Sequence, residues 1–371
     1  MLNTLDHLRR FTVARNFPKP TTLKRALDRM AFVQADPIRA PARAQDLILR
    51  HRVTNYHAGD LERRYPTLDI EEDFFVIYGF VTKSLHALMH PRSDSRVPAA
   101  HVRLPWPAAR RKRAQLLLEF VRQRGEVHPR EVCEHFSQGT VRNYWGGSSN
   151  ATTHLLDEMH YRGLLRVVRR EKGIRTYGAR ECGLLSNAGD ACASTVARID
   201  ALVDIVVRIY APLPGPSLSS LVGRLRFAVP QWREELPRAL QRVKERLSHA
   251  RVDGVDWYWA KEDRGTGAAQ ESVRLLAPFD PVVRDRARFQ LLWGWGYRFE
   301  AYTPASKRKL GYYAMPLLWR EQVIGWGNLS VKEGALESEF GYVRSQPHDS
   351  VFKRELEAEL DRTRAFLSLK S

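Results

Sequence analysis

Apolar positions recur along this chain in two rhythms, one of three to four residues and one of two, and the changes of rhythm divide it. Leu23, Ala26, Leu27 and Met30 fall at i, i+3, i+4 and i+7 behind Thr21-Thr22, which predicts a capped helix. Phe32-Val33-Gln34-Ala35-Asp36-Pro37-Ile38 follows directly and reads as extended, with Gln34 and Asp36 on one side and Val33 and Ala35 on the other. A second helix is expected from Pro41 through Leu47-Ile48-Leu49 to His51. The run from Asp69 to Tyr78, acidic and then apolar, predicts a buried segment with a capped entry.

From Pro91 to Pro107 the texture is that of a linker, rich in Pro, Arg and Ser. Beyond it the pattern predicts a helix carrying Leu116, Leu117, Phe120 and Val121, a second helix around Val132 to Phe136, and a third over Thr153 to Arg162 stopped by Gly163. Leu164 to Arg170 and Ile174 to Tyr177 then read as two strands around Glu171-Lys172-Gly173. Three helices and a basic hairpin are the plan of a winged helix. The order recurs in degenerate form: helices over Val196 to Tyr210, Leu218 to Phe227 and Leu236 to Leu247, then strands about Asp253-Gly254, with Trp257 and Trp259 read as core.

The tail predicts a small antiparallel sheet. A half-buried strand is expected at Tyr297 to Tyr302, a hairpin capped by Lys307-Arg308-Lys309 and made with Gly311 to Leu317, a further strand pair over Glu321 to Val331, and a covering helix from Val351 to Leu367. The expected fold class is therefore α+β, with tandem winged-helix domains and a C-terminal antiparallel β-sheet domain. The expected domains are 1–95, holding the Gln-x-Asp stretch; 96–190, a winged helix with a basic wing; 191–262, a degenerate winged helix; and 263–371, the β domain with its closing helix.

Charge changes this picture from architecture to partner. Lys and Arg outnumber Asp and Glu by 60 to 42, a formal net charge of +18 spread through 371 residues. Such a field favours polyanions, nucleic acid first and an anionic membrane surface second. No apolar run reaches the roughly 20 residues of a spanning helix, and the first residues lack a signal-peptide plan, so a cytoplasmic, nucleoid-associated monomer is expected, with no membrane partner. Cys133, Cys182 and Cys192 show no C-x-x-C spacing, which predicts neither a disulfide framework nor a metal site; no cofactor is expected.

Candidate chemistry is sparse. Asp36 offers a carboxylate able to polarise water or stabilise a cation, and Gln34 an amide able to fix that water. Asp-Pro is also a common helix start, so Asp36 is equally readable as an N-cap. Arg39, Arg43, Arg50 and Arg52 lie close by in sequence and are able to hold phosphates, although a solvated helix face would look the same. In the wing, Arg166, Arg169, Arg170, Lys172 and Arg175 are what phosphate contact needs, and an exposed hairpin edge is also protected by such charge. Lys307, Arg308 and Lys309 add a third basic group.

Taken together, Val33-Gln34-Ala35-Asp36-Pro37-Ile38 with Ala42-Arg43-Ala44, the region from Trp145 to Gly178, and the block from Ala277-Pro278-Phe279-Asp280-Pro281 through Arg284-Asp285-Arg286, Tyr297, Glu300-Ala301-Tyr302, Lys307-Arg308 and Gly311-Tyr312-Tyr313 to Pro316 resemble the winged-helix DNA glycosylases of bacterial interstrand-crosslink repair, the YcaQ/AlkZ type. The resemblance implies tandem winged helices in a basic channel and a catalytic Gln-x-Asp motif, with Gln34 positioning a water and Asp36 activating it or stabilising the sugar cation. It further implies duplex DNA with alkylated or crosslinked purines as partner. This chain departs from the family at Tyr78-Gly79-Phe80-Val81, where Gly79 and Val81 stand in place of a tryptophan and a histidine; His86 and His90 lie just downstream. The competing reading is a non-catalytic winged-helix regulator in which Asp36 is only a cap. An RNA-binding or membrane-surface protein is disfavoured, since neither an aromatic RNP-like strand nor a basic amphipathic helix is present at the ends.

Overall fold

In the computed structural model the described residues are 2–90, 92, 106–136, 139–142, 148–180, 194–263 and 271–369. Most of the expected linker, residues 145–147 of the Trp145 to Gly178 region, and Cys182 and Cys192 lie outside them. The chain resolves into two compact units, one of residues 1–61, 203–222 and 240–371, the other of residues 62–202 and 223–239. No helix among the described residues is long and apolar enough to cross a membrane.

The first unit begins with a helix the pattern did not announce, Leu5–Asn16, capped by Thr4 and buried through Leu8, Phe11 and Val13. Leu23–Met30 follows as expected: Thr22 accepts from Arg25 N–H, and Leu23, Ala26, Leu27 and Met30 are the buried stripe. The extended stretch is shorter than expected, a strand of only Phe32–Gln34, and the next helix starts at Ala44 rather than Pro41. The C-terminal part of this unit is a four-stranded antiparallel sheet in chain order, Val273–Leu275, Met315–Trp319, Gln322–Lys332 and Ala335–Tyr342. The helix Ser350–Leu367 packs against the first strand and buries Phe352 and Leu360.

Three expectations for this region fail, the first being the strand pair over Glu321 to Val331, which is the single strand Gln322–Lys332. Residues Tyr297 to Tyr302 form no strand, and Lys307 to Lys309 cap no hairpin but sit in a loop containing a single turn of 3-10 helix, Ala305–Lys307. The alternation fails with it, since Tyr297 and Glu300, three residues apart, are both buried while Arg298 is exposed. A side chain has taken the ladder's place: Glu300 Oε2 accepts the N–H groups of Lys309 and Leu310, both at 2.8 Å.

In the second unit the antiparallel hairpin Ile70–Phe74 and Tyr78–Thr82 carries three buried acids, Glu71, Glu72 and Asp73. The helices Ala108–Arg124, Pro129–His135 and Ala151–Tyr161 match the expected three, the last capped by Asn150, whose Oδ1 accepts from Thr152 and Thr153 N–H. Leu165–Glu171 and Ile174–Ala179 pair antiparallel. Their turn places Lys172 and Gly173 at φ +49° and +88°, the geometry a tight hairpin demands and glycine supplies. A short strand, Glu126–Val127, joins Ile174–Ala179 on its other side. The later helices Thr195–Tyr210, Gly215–Arg224 and Leu236–Arg246 each have residues in both units, and they lead to a hairpin of the first unit, Ser248–Val252 and Val255–Trp259, with Leu213–Pro214 on the second strand's far edge. Trp257 and Trp259 are core, as expected.

Candidate active site

Asp36 caps no helix. Its Oδ1 accepts the N–H of Ile38 at 3.0 Å, a local Asx turn, and no helix begins until Ala44. The N-cap reading is therefore overturned: the Asx turn uses one oxygen of a half-buried carboxylate. Burial pushes its pKa above the ordinary aspartate value, and the bond from Ile38 pulls the other way.

Gln34, at 5% exposure, ends the Phe32–Gln34 strand two residues earlier. Its Oε1 accepts from Arg284 Nε at 2.8 Å. With the carbonyl end held by a guanidinium, the amide is oriented, and its remaining strength is as an N–H donor to a water or carboxylate oxygen. Arg284 is a residue whose role the sequence did not disclose, since it lies 250 positions from Gln34. It is delivered by the turn after Pro278. Asp280 Oδ1 accepts Val282 N–H at 3.0 Å, and the Asp280 carbonyl accepts Val283 and Arg284 N–H at 2.8 Å. Asp280 itself is wholly buried against Arg52, Nη1 to Oδ2 at 2.7 Å and Nη2 to Oδ1 at 3.1 Å, so a two-pronged ion pair ties this turn to the end of the helix Ala44–Leu49.

Aromatic rings lie within the field of the carboxylate. The charge of Asp36 reaches the phenols of Tyr302 and Tyr313, which helps burial to raise both their pKa values. Phe299 links them, edge-on to Tyr302 at 6.1 Å and to Tyr313 at 5.3 Å, with Phe279 at 5.0 Å on its other side.

The expected phosphate contacts divide by burial. Arg39, Lys307 and Lys309 are exposed, and Arg308 is partly so, its Nε donating to the Thr303 carbonyl at 2.8 Å. Arg43 is half-buried. Arg50 is a correction: at 4% side-chain exposure it is ion-paired to the wholly buried Glu359 and bonded to Thr363, so its charge is spent inside the fold.

In the second unit Arg170 is likewise an internal group, held by two bonds to Glu72 at 2.7 and 2.6 Å. Although burial pushes Glu72 upward, these bonds hold its pKa below the usual carboxylate value. Arg175 pairs with Asp157 at 2.8 Å and lies over Tyr78. Arg166 and Arg169 also pair with acids, Glu71 and Glu126, but keep 39% and 44% of their side chains exposed, and Lys172 sits exposed at the hairpin tip.

His86 and His90 are buried and stacked at 4.1 Å, with Asp73 between their Nε2 atoms and Arg92. Asp73, His86 and His90 bring ligand atoms within 4.8 Å of one another. Arg92 Nη1 already bonds Asp73 Oδ1 at 2.7 Å and His90 Nε2 lies 2.6 Å from Oδ2, so the carboxylate is neutralised by a guanidinium and we read the group as a buried polar hub. Gly79 pairs with Asp73 in the adjoining hairpin and Val81 is fully buried, both as plain strand residues.

The model of a known family, described as DNA glycosylase AlkZ-like, matches residues 27–366. The chain belongs to the AlkZ-like DNA glycosylase family. Among solved structures it is similar to the Streptomyces sahachiroi DNA glycosylase AlkZ, with 14% identity, 100% of this chain and 98% of that chain covered, and a TM-score of 0.61. At that identity the likeness is one of fold, and it spans the whole chain.

Proposed function

We propose that this AlkZ-like protein hydrolyses the N-glycosidic bond of purines alkylated at N7 or N3 in duplex DNA, with interstrand crosslinks within its range, leaving an abasic site. The observation that carries this reading is a half-buried carboxylate, Asp36, that caps nothing and stands two residues from an amide oriented by Arg284. Ordinary glycosidases need two carboxyl groups because the leaving oxygen must be protonated. A purine alkylated at N7 or N3 is already cationic. When the C1′–N bond breaks, its electron pair neutralises the base, and positive charge develops on the sugar, where the Asp36 carboxylate stabilises it. Water held by the Gln34 amide then adds its oxygen to C1′ and loses its proton to Asp36 or solvent.

Two stretches, 108–179 and 195–259, share an order of helix, short strand, two helices and hairpin, with the short strand beside the second hairpin strand, and the first adds a strand pair, Thr140–Arg142 with Ser148–Asn150, between its last two helices. We read them as winged helices that bind the duplex, and we place the protein on DNA in the cytoplasm, acting as a monomer without cofactor.

The test is release of N7-methylguanine from duplex DNA, and unhooking of a nitrogen-mustard crosslink, by wild type and Asp36→Asn. The variant is expected to be slower by about 10²–10⁴-fold with DNA affinity retained. Full activity of the variant would remove Asp36 from catalysis. A wild type that excises nothing and binds an intact duplex sequence-selectively would instead be a regulator.

A further inference from the structure

The loop between Gly294 and Met315 has no ladder, yet it is fixed. Glu300 accepts two of its N–H groups, Asn328 Nδ2 donates to the Leu310 carbonyl at 2.7 Å, and Tyr297 Oη donates to the Ala314 carbonyl at 2.7 Å. Gly311, at φ +118°, leaves the Asn328 amide in the space a Cβ would fill, 2.4 Å away, so no other residue fits without moving it. What this rigid loop presents to solvent is two aromatic rings: Tyr302 at 78% exposure and Tyr312 at 44%. Arg308 lies 5.0 Å over the Tyr312 ring.

Large rings held out of the core on a preformed loop forgo hydrophobic burial, and a partner that covers them restores it. The charge of the Asp36 carboxylate reaches the Tyr302 phenol, which places that ring within its field. A flat ring is the ligand that fits exposed tyrosines next to a guanidinium, and stacking is indifferent to which substituents that ring carries.

We propose that Tyr302, with Tyr312 next to it, is a stacking platform for a nucleobase at the Asp36 site, and so a residue that sets lesion range. This rests on the glycosylase reading above. Stacking without hydrogen-bond readout selects for planar surface, so N7- and N3-alkylated purines of different size are held alike.

The experiment has two arms on the full chain. In the first, kcat and KM for release of N7-methylguanine are measured for wild type, Tyr302→Ala, Tyr302→Leu and Tyr302→Trp. The Ala and Leu variants are expected to lose about 10- to 100-fold in kcat/KM, the range of one stacked base, while Trp stays within about threefold of wild type. Thermal unfolding should not move, because the side chain is exposed. In the second arm, fluorescence of 2-aminopurine flanking a synthetic abasic site in a duplex is quenched by wild type and by Tyr302→Trp but not by Tyr302→Ala or Tyr302→Leu. Equal behaviour of Leu and Trp, or of Ala and wild type, in the quenching arm overturns the platform. Absence of base release by wild type with normal quenching counts against the glycosylase reading alone.

Discussion

At the scale of single residues, the site depends on which atoms of two side chains are already committed. In the proposed reaction Asp36 acts as an anion, and burial raises its pKa, so acid neutralises it sooner than it would an exposed aspartate, whose pKa is about 3.9. The acid limb of kcat/KM is therefore expected above that value, and Asp36→Asn should lack the limb. Because the folded state disfavours the charged form, and Asn Oδ1 still accepts the Ile38 N–H, the same variant is expected to unfold no earlier than wild type at neutral pH. Arg284 belongs to the site only through Gln34. Arg284→Ala should lower kcat about tenfold with KM little changed, and combining it with Gln34→Ala should cost no more than Gln34→Ala alone. Additive losses in that cycle would mean that Arg284 serves the reaction by a separate route.

At the scale of elements, the buried polar hub sets a pH limit on the fold. His160, whose Nε2 bonds the Glu72 carbonyl at 2.9 Å, is pushed down by burial to about 4, and His86 and His90 shift the same way. In the unfolded chain a histidine takes its proton near pH 6.5, so between that value and about 4 the unfolded state binds more protons. Stability is complete above the window and falls as pH drops through it, by about 3 kcal/mol for His160 alone. Urea midpoints at pH 7 and 4.5 should show this fall in wild type and a smaller one in His160→Gln. None of this was readable from spacing, and the reason is the same one that hid Arg284. Helices such as Leu23–Met30 and Ala151–Tyr161 announce themselves because stripe and cap lie within a dozen residues, and the Lys172-Gly173 turn because its backbone needs are local. The Gln34-Arg284 bond and the replacement of a strand at Tyr297 to Tyr302 by Glu300 bonds depend on partners fixed only by the fold. Asp36 was legible as a carboxylate worth attention, but only the start of the helix at Ala44 separated it from a cap.

At the scale of the whole molecule, a net charge of +18 describes how strongly a polyanion is drawn in but not which cations meet it. Burial sorts them. Arg50 and Arg170 are neutralised by Glu359 and Glu72, so they add little to the field outside, whereas Arg39, Lys307 and Lys309 project into solvent. Each phosphate neutralised by a protein cation releases a condensed counterion, which makes the slope of log affinity against log salt a count of contacts. Arg39→Ala, Lys307→Ala and Lys309→Ala are each expected to reduce that slope by about one, measured by fluorescence anisotropy on an undamaged duplex between 50 and 200 mM salt. Arg50→Met should leave the slope as it is and lower the unfolding midpoint, because it takes one of two guanidinium partners from the buried Glu359 carboxylate and leaves it Arg362 at 3.1 Å. A slope that falls with Arg50→Met in a folded protein would show that the ion pair opens on DNA. A slope unmoved by all three exposed substitutions would place the phosphate contacts elsewhere on the chain.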